Sequence, residues 1–234
     1  EIHDTCVVAG DMISIDVKAS DPDFDEVTLT ATGGPFLQTD NPAQFPQSIT
    51  AFKEVTGKYK WQTNCTHVRK QPYQIVFKAN DNDPMYPLVD LKTWNIRIVG
   101  PSPKNPEANP VGNSIQLKWD VSICNQVIGY QIYRRKGSFG FIPDNCETGV
   151  PAYTGYKFID FVQGANSNSY LDDDQGKGFI HGIEYCYMIV ANYPDGAESY
   201  ASVEVCTSLV KDVPVITHVS VRNTSTTNGS VYVA

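Results

Sequence analysis

"IEYCYMIVANYPDGAESYASVEVCTSL", residues 183–209, is two alternating apolar runs around a Pro-Asp-Gly turn. Alternation with period two is the signature of half-buried strands, and Asp-Gly supplies the positive φ that a tight reversal needs. The stretch therefore predicts a hairpin symmetric about Gly196. Its alternation puts Tyr185, Tyr187, Ile189 and Ala191 on one face, and Cys186, Met188 and Val190 on the other. Across the turn, Val203 and Val205 share one face, while Glu204 and Cys206 share the opposite one. Cys186 and Cys206 then stand directly opposed, within reach of a disulfide on the outer face of the sheet.

The rest of the chain has the same character. Its 234 residues allow about two domains. Its apolar fraction of 41% marks a globular chain, and its Tyr, Pro and β-branched residues favour strands and turns. The expected fold class is all-β. The net charge of −8 is spread over both halves, which argues against nucleic acid or anionic membranes as partners. No apolar run approaches membrane-spanning length, and no signal peptide is present. The six cysteines form no CxxC pair and have no metal-ligand spacing with His3, His67, His181 or His218. An even count of this kind points to disulfides and an oxidising compartment.

A proline-rich stretch, "VGPSPKNPEANPVGN" (99–113), places a domain boundary near residue 101. Residues 1–100 offer strands near 12–19, 27–32, 57–63, 73–79 and 89–99, with no clear pattern over 33–56. Residues 113–209 offer "NSIQLKWD", "GYQIYRR", "GYKFIDFV", "NSYLD" and the hairpin above. Short strands at this spacing suggest two β-sandwiches. With Cys186 opposite Cys206, elimination pairs Cys6 with Cys65 and Cys124 with Cys146, since other connectivities would cross the boundary. Closing the loop from 124 to 146 would contribute roughly 3 kcal/mol.

Residues 101–210 resemble a fibronectin type III domain. Trp119 stands in "SIQLKWD" where that family carries its core tryptophan, and "GYQIYR" (129–134) matches the third strand. "YCYMIVANYPDGAES" (185–199) matches the sixth strand and its turn, which implies that Tyr185 forms the tyrosine corner. An insert over about 137–167 departs from the family pattern. Residues 1–100 are similar to bacterial immunoglobulin-like and cadherin-like modules through "KASDPDFDEVTLTATG". Laying "NGSVYVA" (228–234) over "GNSIQLKW" aligns Ser230 with Ser114, Val231 with Ile115 and Val233 with Leu117. Residues 211–234 thus read as the first two strands of a third, truncated fibronectin-like domain. Two strands cannot bury a sandwich core, so this stub, if ordered, must lean on the preceding domain or on another chain.

Candidate sites are few. Asp21, Asp23 and Asp25 precede Glu26 in "DPDFDE", but an EF-hand loop needs glycine where Glu26 stands and glutamate where Thr32 stands. An immunoglobulin-like topology would instead gather Asp21, Asp23, Asp25, Asp81 and Asp83 at one pole. Cadherin-like relatives hold calcium at such positions; ordinary turn capping is the competing reading. "LDDDQGKG" (171–178) reads as a solvated turn. Phe139, Phe141, Tyr153 and Tyr156 on the insert form either a binding surface or a satellite cluster over the sheet flank. No HExxH, GxSxG or phosphate loop is present, so no catalytic role and no cofactor beyond possible calcium is expected.

The combined pattern, with the "DTCVVAGD" start (4–11), resembles multidomain surface proteins of gliding bacteria exported by type IX secretion. That resemblance implies an extracellular or outer-surface location and a non-catalytic structural or adhesive stalk. Its partners would be neighbouring domains of the same chain, and a cell-surface protein or glycan, without nucleic acid or membrane insertion. Accessory modules of a secreted polysaccharide-degrading enzyme, and a structural part of an export or motility machine, are the alternative readings.

Overall fold

The structure, a computed structural model, describes residues 4–210 and 218–233. It is all-β, with strands in tandem sandwiches and, among the described residues, three short 3-10 turns. In the first sandwich, β1 (Thr5–Val8), β7 (Val89–Val99), β6 (Tyr73–Asp81), β3 (Glu26–Gly33) and β4 (Ile49–Phe52) form a five-stranded sheet in that spatial order. It faces a two-stranded sheet of β2 (Met12–Ser20) and β5 (Glu54–Gln62). Strict alternation along β5 sends Val55, Tyr59 and Trp61 inward. There Tyr59 packs edge-on against Trp94, with ring centroids 5.5 Å apart, and Trp61 against Tyr73 at 4.9 Å. Gly57 leaves room on β5 for Phe45, whose ring would lie 2.3 Å from any added Cβ.

The second sandwich sets β11 (Lys157–Gln163), β10 (Gly129–Lys136), β13 (Glu184–Asn192) and β14 (Val205–Ser208) against β12 (Ser169–Asp172), β9 (Ser114–Lys118) and β8 (Glu107–Val111). Trp119, just past β9, is buried against Tyr130. Tyr185 accepts a 3.4 Å hydrogen bond from the Ile180 amide, the corner expected of it.

The hairpin register places Cys186 opposite Cys206, as its symmetry predicts. The partner run is not one continuous strand, however. Asn192 bridges Glu198, two residues out of that register, and β14 begins only at Val205. Between them the Ser199 and Ser202 hydroxyls accept from the Ala191 and Ile189 amides, at 2.9 and 3.0 Å. Side-chain oxygens thus occupy ladder positions, which period-two alternation cannot reveal.

Three strands escaped the sequence pattern: β1, β4 and β8. Each is short and lies at the edge of its sheet. Residues 218–233 form a hairpin of β15 (Val219–Asn223) and β16 (Ser230–Val233), whose strands pair only with each other among the described residues. Its cross-strand pairs Val219–Val233 and Val221–Val231 are exposed. The remainder of the expected stub, 211–217 and 234, lies outside the described residues.

Candidate functional site

The two sandwiches meet end to end, and the buried apolar cluster runs unbroken from Ile13 through Ile98 to Leu209. The chain leaves β7 at Val99 and passes through Gly100, whose Cα packs directly on the Tyr193 ring. Asp195, in the Pro-Asp-Gly turn, accepts from the Lys70 amide at 2.6 Å across the junction.

Two disulfides fasten this junction, and they correct the expected pairing. Cys6 is bonded to Cys146 and Cys65 to Cys124, each with Cα atoms 5.2 Å apart, so neither Cys6–Cys65 nor Cys124–Cys146 forms. The reason is positional. β1 runs parallel to the last residues of β7, so Cys6 sits level with Arg97 near the exit to the second sandwich. Cys65 opens the 3-10 turn Cys65–His67, which follows β5 at the same pole. That turn is fixed by Asn64, which accepts from the Thr66 amide, and by His67, buried against Trp61. Both cysteines therefore face the neighbouring domain; a boundary in sequence is not a barrier in space. Beside the bridges a cavity of about 240 Å³ is lined by Arg69, Lys70, Arg97 and Glu198 among others.

The third bridge joins Cys186 to Cys206, as expected. It lies on the outer sheet face, but the insert covers that face. Phe141, Tyr156, Cys186, Met188, Val190 and Ala201 form a second small core there. The four insert aromatics therefore divide. Phe141 and Tyr156 are buried, whereas Phe139 and Tyr153 remain exposed with ring centroids 6.2 Å apart. Glu204 clamps the insert, accepting from the Phe139 amide at 2.8 Å, the Gly140 amide at 3.2 Å, and the Ser138 and Tyr156 hydroxyls. Burial alone would raise its pKa; these four donors outweigh burial and hold it below the usual carboxylate range.

At the far pole, the loops 21–25 and 82–88 are drawn together by the Asn82 amide donating to the Glu26 carbonyl at 2.8 Å. Asp21, Asp23, Asp25, Asp81 and Asp83 are close enough to interact. Desolvation, then repulsion from Asp83, Asp21, Asp81 and Asp23, raises the pKa of Asp25. Three of the five cap turns: Asp21 accepts from the Asp23 and Asp25 amides, Asp83 from those of Met85 and Tyr86, and Asp81 from that of Leu88. Among the described residues, the set that brings three ligand atoms within 4.8 Å is Glu184, Cys186 and Cys206, and its sulfurs are spent in the disulfide. The same pole exposes Phe24, Phe52, Met85 and Tyr86.

"LDDDQGKG" is not a purely solvated turn. Asp172 is 3% exposed and receives Arg134 Nη1 at 2.9 Å, while the Tyr187 hydroxyl donates to it at 3.0 Å. Arg134 also reaches Asp174 at 2.5 Å and covers the Phe179 ring. The signal was in the alternation of β10, which puts Arg134 on the same face as the buried Tyr130 and Ile132.

No protein-family model matches this chain, and no curated protein matches it. Among solved structures it is similar to the crystal structure of domains A168-A170 from titin, at 14% identity and a TM-score of 0.35. That similarity covers 89% of this chain, which spans 62% of the titin segment. It is also similar to a two-fibronectin-type-III-domain segment from chicken tenascin, at 11% identity and a TM-score of 0.35, covering 85% of this chain and 97% of that one. Among the described residues no helix is long and apolar enough to cross a membrane.

Proposed function

We propose that this chain is a rigid, non-catalytic structural or adhesive segment of an exported surface or secreted protein. The observation that carries this reading is the oxidation of all the described cysteines, with two of three bridges spanning the domain junction. Tandem sandwiches ordinarily flex about their linker, because interfaces within a chain are small and polar. Here covalent bonds on two sides of a continuous apolar junction suppress that motion. Disulfides of this density persist in oxidising compartments. The resemblance to surface proteins of gliding bacteria supplies the cell-surface location and the array that residues 218–233 would continue. Its partners on this reading are adjoining domains, with the Phe139–Tyr153 pair and the acidic pole as the surfaces open to a protein or glycan.

The test is location and thiol state in the producing cell. Antibodies against the first sandwich should label unpermeabilised cells or the medium, and alkylation should find no free thiol. An intracellular protein with reduced cysteines overturns the proposal. Calcium at the acidic pole is a separate element of it. A rise in melting temperature at millimolar calcium, lost in Asp25→Asn, supports the metal; no rise removes it.

A further inference from the structure

We propose that this segment transmits tension through a disulfide bypass that leaves the first sandwich beyond Cys6 unloaded. The inference rests on covalent connectivity, so it holds whether or not the protein is a stalk. Among the described residues, Thr5 is the one ladder position that precedes Cys6 on β1. Tension arriving from the N-terminal side therefore reaches Cys6 almost at once and crosses to Cys146, a sequence separation of 140.

Every strand from β2 to β10 lies inside the skipped loop. The second junction bridge, Cys65–Cys124, is nested wholly within it. From Cys146 the load runs through the insert, β11 and β12 to Cys186, and then crosses to Cys206, skipping another 20 positions. A folded sandwich in series with a load is sheared apart strand by strand; one enclosed by a covalent shortcut feels no pull between its ends. The first sandwich is thus carried as a side-mounted head. Its far pole, with Phe24, Phe52, Met85 and Tyr86 exposed, keeps its shape while the chain is stretched.

The lengths are specific. An extended residue spans at most about 3.6 Å. Between Cys146 and Cys186 about 40 residues can lengthen, or roughly 15 nm. The 140 positions behind the first bridge hold roughly 29 nm in reserve while the nested Cys65–Cys124 bridge withholds 59 of them, and roughly 50 nm once that bridge opens as well; the 20 behind the third hold roughly 7 nm.

Single-molecule pulling of the full chain from its two ends tests this, the tail beyond Cys206 adding equally to every trace. The oxidised protein should release no more than about 15 nm between Cys6 and Cys206. Opening every bridge of the same molecule by reduction while it is held should add roughly 58 nm, whereas the Cys6→Ser/Cys146→Ser variant, in which Cys65–Cys124 still bypasses 59 positions, should add roughly 29 nm. Cys186→Ala/Cys206→Ala should add only roughly 7 nm. Release of about 70 nm by the oxidised protein, or no added length on reduction, overturns the bypass. Reduction of the wild-type molecule in place keeps the test decisive if the Cys6→Ser/Cys146→Ser variant does not fold. A short oxidised trace from a protein found inside the cell would refute the proposed location and leave the bypass standing.

Discussion

Gly100 and Tyr193 touch so closely that a Cβ on the glycine would lie 2.2 Å from the tyrosine hydroxyl oxygen and 2.5 Å from its ring. Tyr193 is 1% exposed, so its ring has nowhere to move. Gly100→Ala should destabilise the protein by about 1–3 kcal/mol through overpacking at the junction. Chemical unfolding of wild type and variant checks this; an unchanged midpoint would show that the two domains separate readily there.

Arg134 offers a sharper contrast. Removing one partner of a buried ion pair leaves an uncompensated charge, at a cost of about 3–5 kcal/mol. Arg134→Met should lose that much, because Asp172 stays buried beside Tyr187. The double variant Arg134→Met/Asp172→Leu should recover most of the loss. Urea unfolding of both variants provides the comparison.

The insert should loosen in acid. Glu204 has a folded-state pKa below its unfolded value, so its stabilisation is complete above the ordinary carboxylate range and disappears as pH falls through the depressed value. Hydrogen exchange at Phe139 and Gly140 should therefore accelerate in strong acid more than in the core strands. Glu204→Gln should produce the same loosening at neutral pH, costing about 1–2 kcal/mol.

Asp25 has the opposite sign. Its raised pKa means that ionisation opposes folding at neutral pH, with stability gained as the group is protonated. Asp25→Asn should raise the melting temperature at low salt. The gain should shrink as salt screens the neighbouring aspartates. A lower melting temperature at low salt would contradict the repulsion.

Tyr59 is fully buried, its hydroxyl has no hydrogen-bond partner among the described residues, and burial pushes the phenol far up. Tyr59→Phe removes an unsatisfied polar group without opening space, so the melting temperature should hold or rise. A clear fall would reveal a partner for that oxygen.

How far the sequence discloses this molecule depends on the range of each interaction. Alternation and turn residues located the long strands, and the Cys186–Cys206 pairing followed because a hairpin fixes register locally. β1, β4 and β8 stayed hidden because edge strands bury little and carry weak alternation. The junction bridges were misassigned because nothing near Cys6 or Cys65 encodes which neighbour their pole will meet. The Asp172–Arg134 pair was read as surface for a related reason: three consecutive aspartates look solvated until the strand that carries Arg134 is laid beside them. Of the insert aromatics, Phe141 and Tyr156 could be told from Phe139 and Tyr153 only by the shape of the sheet beneath.

The three bridges differ in shelter. Cys124 and Cys186 are completely buried, whereas Cys6 and Cys146 are both partly open to solvent. A small thiol reagent must reach a sulfur to attack it. The clasp that spares the first sandwich is thus the bridge partly open at both cysteines, where Cys65–Cys124 and Cys186–Cys206 are open at one each, so the segment behaves as a chemical fuse: taut in an oxidising medium, and slack by tens of nanometres once its surroundings turn reducing.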